Sequence, residues 1–214
     1  MKNETTAINF DQEADMLYPT LNKVEELLKE YQMVPVFYEV LADYMTPIRM
    51  FQALRKEGTP CFMLESVENK DQWGRYSFIG INPKSEIKIS GKELEVDGVK
   101  QEEEFKMSYL SDLIEKYKSP VMEDYPKLTG GLIGYFGYDM IRQVEKKLTN
   151  VPEDDLEMPE CHLCMYDEIS AFDHLANKAV IIQNIHKGDN IKQKYEELED
   201  KAELILHKME RPVS

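Results

Sequence analysis

Apolar positions recur along the chain with two periods, and the period assigns most elements. Leu21, Val24, Leu27 and Leu28 share one helical face, with Thr20 placed as N-cap. Val34 to Val40 is β-branched and aromatic and reads as a strand. Thr46-Pro47 opens a helix with a capping hydroxyl and a proline at the first helical position; Ile48, Phe51 and Leu54 form its apolar face, and Gly58 ends it. Strands follow at Cys61 to Leu64, Tyr76 to Ile81, Ser85 to Ser90 and Lys92 to Val96, the last closed by an Asp97-Gly98 turn. Leu110, Leu113, Ile114 and Tyr117 mark a helix capped by Ser108. Thr129 to Tyr138 is a glycine-rich aromatic strand; Leu163 to Phe172 and Ala179 to Ile185 read as two more. A stripe from Ile191 through Tyr195, Leu198, Ala202, Ile205 and Met209 predicts a long charged helix. The expected fold is α+β, with mainly antiparallel sheets and helices packed outside. The expected organisation is a flexible lead-in over 1–18, one domain over 19–210, and the start of a connector at 211–214.

Within that pattern, "CFMLESVENKDQWGRYSFIG" places a carboxylate, a hydroxyl and a guanidinium at the ends of two apolar strands. A buried-edge carboxylate needs a partner. Glu65, Ser66 and Arg75 suit a zwitterion, with Glu for an ammonium and Arg for a carboxylate. They suit equally a structural ion pair, Glu65 with Arg75, and on their own chemistry that bland reading is the preferred one.

Composition narrows the partners. The 214 residues are 42% hydrophobic, enough to build a core, and the net charge of −15 argues against nucleic acid and anionic membrane surfaces as partners. No apolar run is long enough to span a bilayer, and Met1 to Gln12 is polar and acidic, unlike a signal peptide. Three cysteines give no disulfide framework, so a cytoplasmic, reducing location is expected.

The remaining motifs give no catalytic constellation. Cys161 and Cys164 form one C-x-x-C, but two further zinc ligands at a known spacing are lacking, although His174 and His186 exist. On a strand the two cysteines point to opposite faces, so no metal site is expected. "GGLIGYFGYD" is neither of the phosphate-loop patterns; glycine inside such a strand implies close approach by another backbone, a bend or a bulge. The four histidines lie apart in sequence and match no triad signature.

Four ordered segments carry a family likeness. "MLESVENKDQWGRYSFIG", "VPVFYEVLADYMTPIRMFQALR", "GGLIGYFGYDMIR" and "HLCMYDEISAFDHLANKAVIIQN" resemble the N-terminal region of anthranilate synthase component I, the chorismate-using subunit of tryptophan biosynthesis. The resemblance covers nearly the whole chain. It implies that the chorismate-binding half, with the catalytic residues and a magnesium site, is absent, and that this chain alone makes no anthranilate. It implies that Leu64, Glu65 and Ser66 help form the feedback pocket for L-tryptophan, with Arg75 as a basic pocket residue. Glu65 would hold the ammonium and Ser66 would supply a hydroxyl or backbone contact. No cofactor is expected in this chain. A glutaminase subunit is the expected partner, with the glycine-rich strand as a candidate contact. Feedback would act as a population shift worth about 1–3 kcal/mol of coupling. Two alternatives remain: aminodeoxychorismate synthase component I, whose corresponding region shares this motif set, and a stand-alone amino-acid-binding module.

Overall fold

The computed structural model describes residues 17–42, 45–65, 74–145, 147–148 and 158–210. Residues 1–16 of the lead-in expected over 1–18, the connector at 211–214 and Ser66 lie outside the described residues, whereas Leu17 and Tyr18 pair in a strand ladder with Tyr38 and Phe37. In chain order the elements are β1 (Leu17–Tyr18), α1 (Leu21–Leu27), β2 (Met33–Leu41), α2 (Pro47–Leu54), β3 (Cys61–Leu64), β4 (Tyr76–Ile81), β5 (Ser85–Ser90), β6 (Glu93–Val96), β7 (Val99–Lys100), α3 (Met107–Lys116), β8 (Gly131–Phe136), a 3-10 helix (Tyr138–Gln143), β9 (Cys161–Tyr166), β10 (Glu168–Asp173), β11 (Lys178–His186) and α4 (Ile191–Glu210).

The strands form two sheets, β1-β2-β11-β10-β4-β3 and β7-β6-β5-β9-β8, and every pairing among them is antiparallel. The fold is therefore α+β with mainly antiparallel sheets, as the hydrophobic pattern implies. In the six-stranded sheet, alternation divides the residues cleanly. Val34, Val36, Tyr38 and Val40 of β2, with Ala179, Ile181 and Ile185 of β11, face a core closed by α1, α2 and α4. Those helices contribute Val24, Met50, Leu54, Leu198, Ala202 and Ile205. Each valine, leucine, isoleucine or methionine among them is worth about 1.5–3 kcal/mol when fully buried. On the opposite face Phe37, Ile169, Ala171, Val180 and Ile182 join Cys164 and Tyr166 of the second sheet in another core. The second sheet buries Ile87, Ile89, Cys161 and Leu163 against Leu110 of α3 and Met140 of the 3-10 helix.

Several element ends differ from the sequence reading. Thr46 accepts a hydrogen bond from the Arg49 amide at 3.3 Å and caps α2, but the buried face is Met50 and Leu54, while Ile48 is exposed. That helix stops at Leu54; Gly58, at φ 74°, belongs to the turn beyond it. Thr20 occupies the N-cap position of α1 without a side-chain cap bond. Helix α3 begins after Lys106, which places Ser108 inside it. The segment Leu163 to Phe172 is not one strand. It breaks at Asp167 into β9 and β10, which belong to different sheets.

The chain thus crosses between sheets twice, at 82–84 from β4 to β5 and at Asp167 from β9 to β10, and the crossings are tied together. The Lys84 amide donates to the Met165 carbonyl at 2.7 Å, and the Lys84 ammonium meets Asp167 Oδ2 at 2.5 Å. His186 Nε2 lies 2.7 Å from the same Asp167 oxygen. Burial alone would raise the Asp167 pKa, but the hydrogen bonds from His186 and Lys84 outweigh it and hold the carboxyl below its ordinary range.

Candidate functional site

Among the described residues, strand β3 is the edge of the six-stranded sheet and pairs only with β4, in the register Cys61↔Ile81 through Leu64↔Phe78. Residues directly opposite share a face. Phe62, Leu64, Tyr76 and Phe78 therefore line one side of this edge, the side on which Phe62, Tyr76 and Phe78 pack against the core between the sheets. Leu64 is 47% exposed at the end of that apolar strip. Glu65 follows it, exposed, beyond the last ladder pair. The end of this edge thus carries an exposed aliphatic side chain followed in the chain by an exposed carboxylate.

Arg75 does not meet Glu65. Its Nε lies 3.0 and 2.9 Å from the two Asp173 carboxylate oxygens, and its Nη2 lies 2.5 Å from Oδ2. The guanidinium also packs over the Tyr76 ring, 4.9 Å from its centroid. Asp173 is 4% exposed and accepts the Leu175 and Ala176 amides at 3.0 and 3.1 Å, so it holds the β10–β11 turn as well. Burial would raise its pKa; the Arg75 fork and the two amides overcome that and lower it. The hydrogen bond to Asp173 correspondingly raises the Arg75 pKa. The ion pair expected between Glu65 and Arg75 is replaced by one between Arg75 and Asp173. The physical reason is register: Tyr76 pairs with Asp173 across β4 and β10, which brings the neighbouring guanidinium to the turn. Nothing in the local sequence around Arg75 marks a partner 98 positions away.

The other sequence candidates separate. Cys161 is buried in the core under α3, while Cys164 faces the core between the sheets, so the C-x-x-C cannot converge on one ion. The glycine-rich strand behaves as its glycines imply: a Cβ at Gly134 would lie 1.9 Å from the His162 carbonyl oxygen of β9. Three histidines meet different neighbours, His162 with Glu86, His174 with Ser77, and His186 with Asp167. A polar cavity of about 290 Å³ opens beside Lys84, Asp167, Asn184 and His186, at the seam between the sheets. A second of about 240 Å³ lies among Met33, Tyr117, Gly130, Leu132 and Tyr166. Neither is lined by Leu64, Glu65 or Arg75.

Comparison with known proteins decides the family. The chorismate binding enzyme model matches residues 47–214. The chain belongs to the chorismate binding enzyme family. It is 40% identical over 200 residues to anthranilate synthase component 1 of Acetivibrio thermocellus, a match covering 89% of this chain and 39% of that protein. It is 31% identical over 214 residues to the chloroplastic anthranilate synthase alpha subunit 2 of Arabidopsis thaliana, covering 92% of this chain and 34% of that one. The crystal structure of anthranilate synthase component I from Streptococcus pneumoniae TIGR4 superposes with a TM-score of 0.54 at 27% identity, over 81% of this chain and 37% of that chain. The chain therefore spans between about a third and two fifths of the length of these relatives.

Membership corrects one expectation. The chorismate-binding half was expected to be absent, yet the chorismate binding enzyme model aligns with residues 47–214 themselves. The expectation of inactivity, which rested on that absence, loses its ground. Magnesium, implied by the resemblance, favours oxygen ligands in octahedral geometry. Among the described residues, the group with donor atoms close enough for an ion contains a thiol and an imidazole, a poor match to magnesium. No magnesium chemistry is assigned to these residues.

Proposed function

We propose that this chain forms the N-terminal part of an anthranilate synthase component I, which converts chorismate and glutamine-derived ammonia to anthranilate and pyruvate in tryptophan biosynthesis. The observation that carries the reading is the 40% identity over 200 residues to the Acetivibrio thermocellus enzyme. Within it, the end of β3 contributes to an L-tryptophan feedback site. The exposed Leu64 and the aromatic strip behind it offer an apolar surface for an indole, and the adjacent Glu65 carboxylate offers an acceptor for an ammonium. Ser66 supplies a hydroxyl or backbone contact. Arg75, committed to Asp173, serves as a positioning residue that fixes the start of β4. A glutaminase subunit is the partner that supplies ammonia. The three free cysteines fit a reducing, cytoplasmic setting.

Calorimetric titration of the chain with L-tryptophan, using L-phenylalanine as control, tests the site. Saturable, tryptophan-selective binding is expected. Glu65→Gln removes one charge-assisted hydrogen bond and is expected to weaken it at least about tenfold. Equal binding of both amino acids, or full affinity in the Gln variant, would take Glu65 out of the pocket.

A further inference from the structure

The second sheet carries a convergent donor set that the reading above does not use. Strands β5 and β9 pair with Glu86 opposite Cys164 and Lys88 opposite His162. Alternation puts all four on one face, turned away from Ile87, Ile89, Cys161 and Leu163, which fill the core under α3. The result is a two-by-two block. His162 Nε2 lies 2.6 Å from Glu86 Oε1 and 4.0 Å from Cys164 Sγ, and the three donor atoms all fall within 4.8 Å of one another. Tyr135 of β8, opposite His162 in the ladder, presents its ring edge-on at 81° to the imidazole.

Two chemistries could use a cysteine, a histidine and a carboxylate. A nucleophilic triad needs the thiol on one imidazole nitrogen and the carboxylate on the other, so that the base is oriented from behind. Here both approach the same Nε2, so no relay can run through the ring. Convergence on one point is instead what a cation requires.

We propose that Glu86, His162 and Cys164 form a Zn²⁺ site. Tetrahedral zinc, at bond lengths of about 2.0–2.3 Å, spaces its donors roughly 3.3–3.8 Å apart. The thiol–imidazole distance is close to that, and Glu86 needs only to swing outward from the imidazole. The thiolate, imidazole and carboxylate set matches zinc and not magnesium or calcium. Lys88 is the competing cation, with Nζ 3.4 Å from Glu86 Oε1. It also lies 3.8 Å from Glu95 Oε1 on β6, so it has a second carboxylate to take when the metal claims Glu86. Three protein ligands leave the fourth position for water or another small ligand. Ligation through the thiolate releases the thiol proton.

The test uses the intact chain, with Zn²⁺ by calorimetry and Co²⁺ by absorption spectroscopy. One equivalent of Zn²⁺ should bind with proton release, and Co²⁺ should show thiolate-to-metal charge transfer. The Cys61→Ser variant should keep both signals. Because Cys161 is fully buried on the other face, that result alone assigns the thiolate to Cys164 without disturbing the cluster. Cys164→Ser should abolish the charge-transfer band, and Glu86→Gln should weaken Zn²⁺ binding at least tenfold. Absence of saturable binding, absence of the band in the unaltered chain, or its loss in Cys61→Ser would each overturn the proposal. So would a Glu86→Gln variant with undiminished affinity.

Discussion

Asp173 shows how one residue's surroundings set its chemistry. It is almost fully buried, yet it is ionised because two nitrogens of Arg75 and two backbone amides meet its oxygens. Replacing it with Asn keeps the shape and the amide contacts of one oxygen, but breaks the paired fork. Arg75 is 40% exposed and can be rehydrated, so the loss falls short of that for a fully buried charge pair. Asp173→Asn is expected to lower unfolding stability at pH 7 by about 1–3 kcal/mol. The pH dependence has a definite sign. The folded pKa is depressed below the ordinary value of 3.8, so the contribution is complete above that value and is lost as pH falls through the folded pKa. Urea midpoints of the two proteins should therefore differ at pH 7 and converge below about pH 4. A gap that stays constant down to pH 3 would mean that the carboxylate charge is not what Asp173 contributes.

Elements were legible in the sequence where a local signal has a local cause. Thr46-Pro47 starts α2 because a hydroxyl and a fixed φ act within one turn. Asp97-Gly98 closes the β6–β7 hairpin because both residues take positive φ, 53° and 77°, as a two-residue turn of matching twist demands. The break at Asp167 was illegible. Both flanking strands bury both faces, so apolar residues resume directly after the crossing, and the Asp167-Glu168 pair is too weak a signal to end a strand. The metal-type cluster was illegible for a related reason: Glu86 and His162 meet only through the β5–β9 register. Glu65 stood out by its position after an apolar run, but its proposed ligand came from family likeness. The glycine-rich strand was legible through sterics and makes a prediction. Gly134→Ala would put a methyl 1.9 Å from the His162 carbonyl oxygen, and a backbone cannot step aside as a side chain can. A cost of roughly 3 kcal/mol or more is expected, at the upper end of overpacking. Gly80→Ala meets the Phe62 ring at 2.0 Å, but that ring can rotate, so its thermal midpoint should fall clearly less. Equal losses in the two variants would show that β8 can shift away from β9.

At the scale of the molecule, two sheets meet at a narrow seam, and Asn184 is central to it. Its backbone amide donates to the Asp167 carbonyl at 3.0 Å, and its Nδ2 donates to the same carbonyl at 2.9 Å and to the Thr129 carbonyl at 2.7 Å. One residue of β11, in the first sheet, thereby holds both the crossing after β9 and the segment that leads into β8, in the second. The side chain is 3% exposed, so water cannot replace these bonds without entry into the seam. Asn184→Ala would strip the Thr129 carbonyl of its side-chain donor, at about 1–3 kcal/mol if it stays dry, while the Asp167 carbonyl keeps the Asn184 backbone amide. The expected net loss is about 1–3 kcal/mol. The loss should also be directional. Hydrogen exchange in β8 and β9 should accelerate more than in β2 and β11, because the large core under α1, α2 and α4 does not depend on the clamp. A small loss spread evenly over both sheets would instead place their coupling in the Lys84–Asp167–His186 cluster, which the substitution leaves intact.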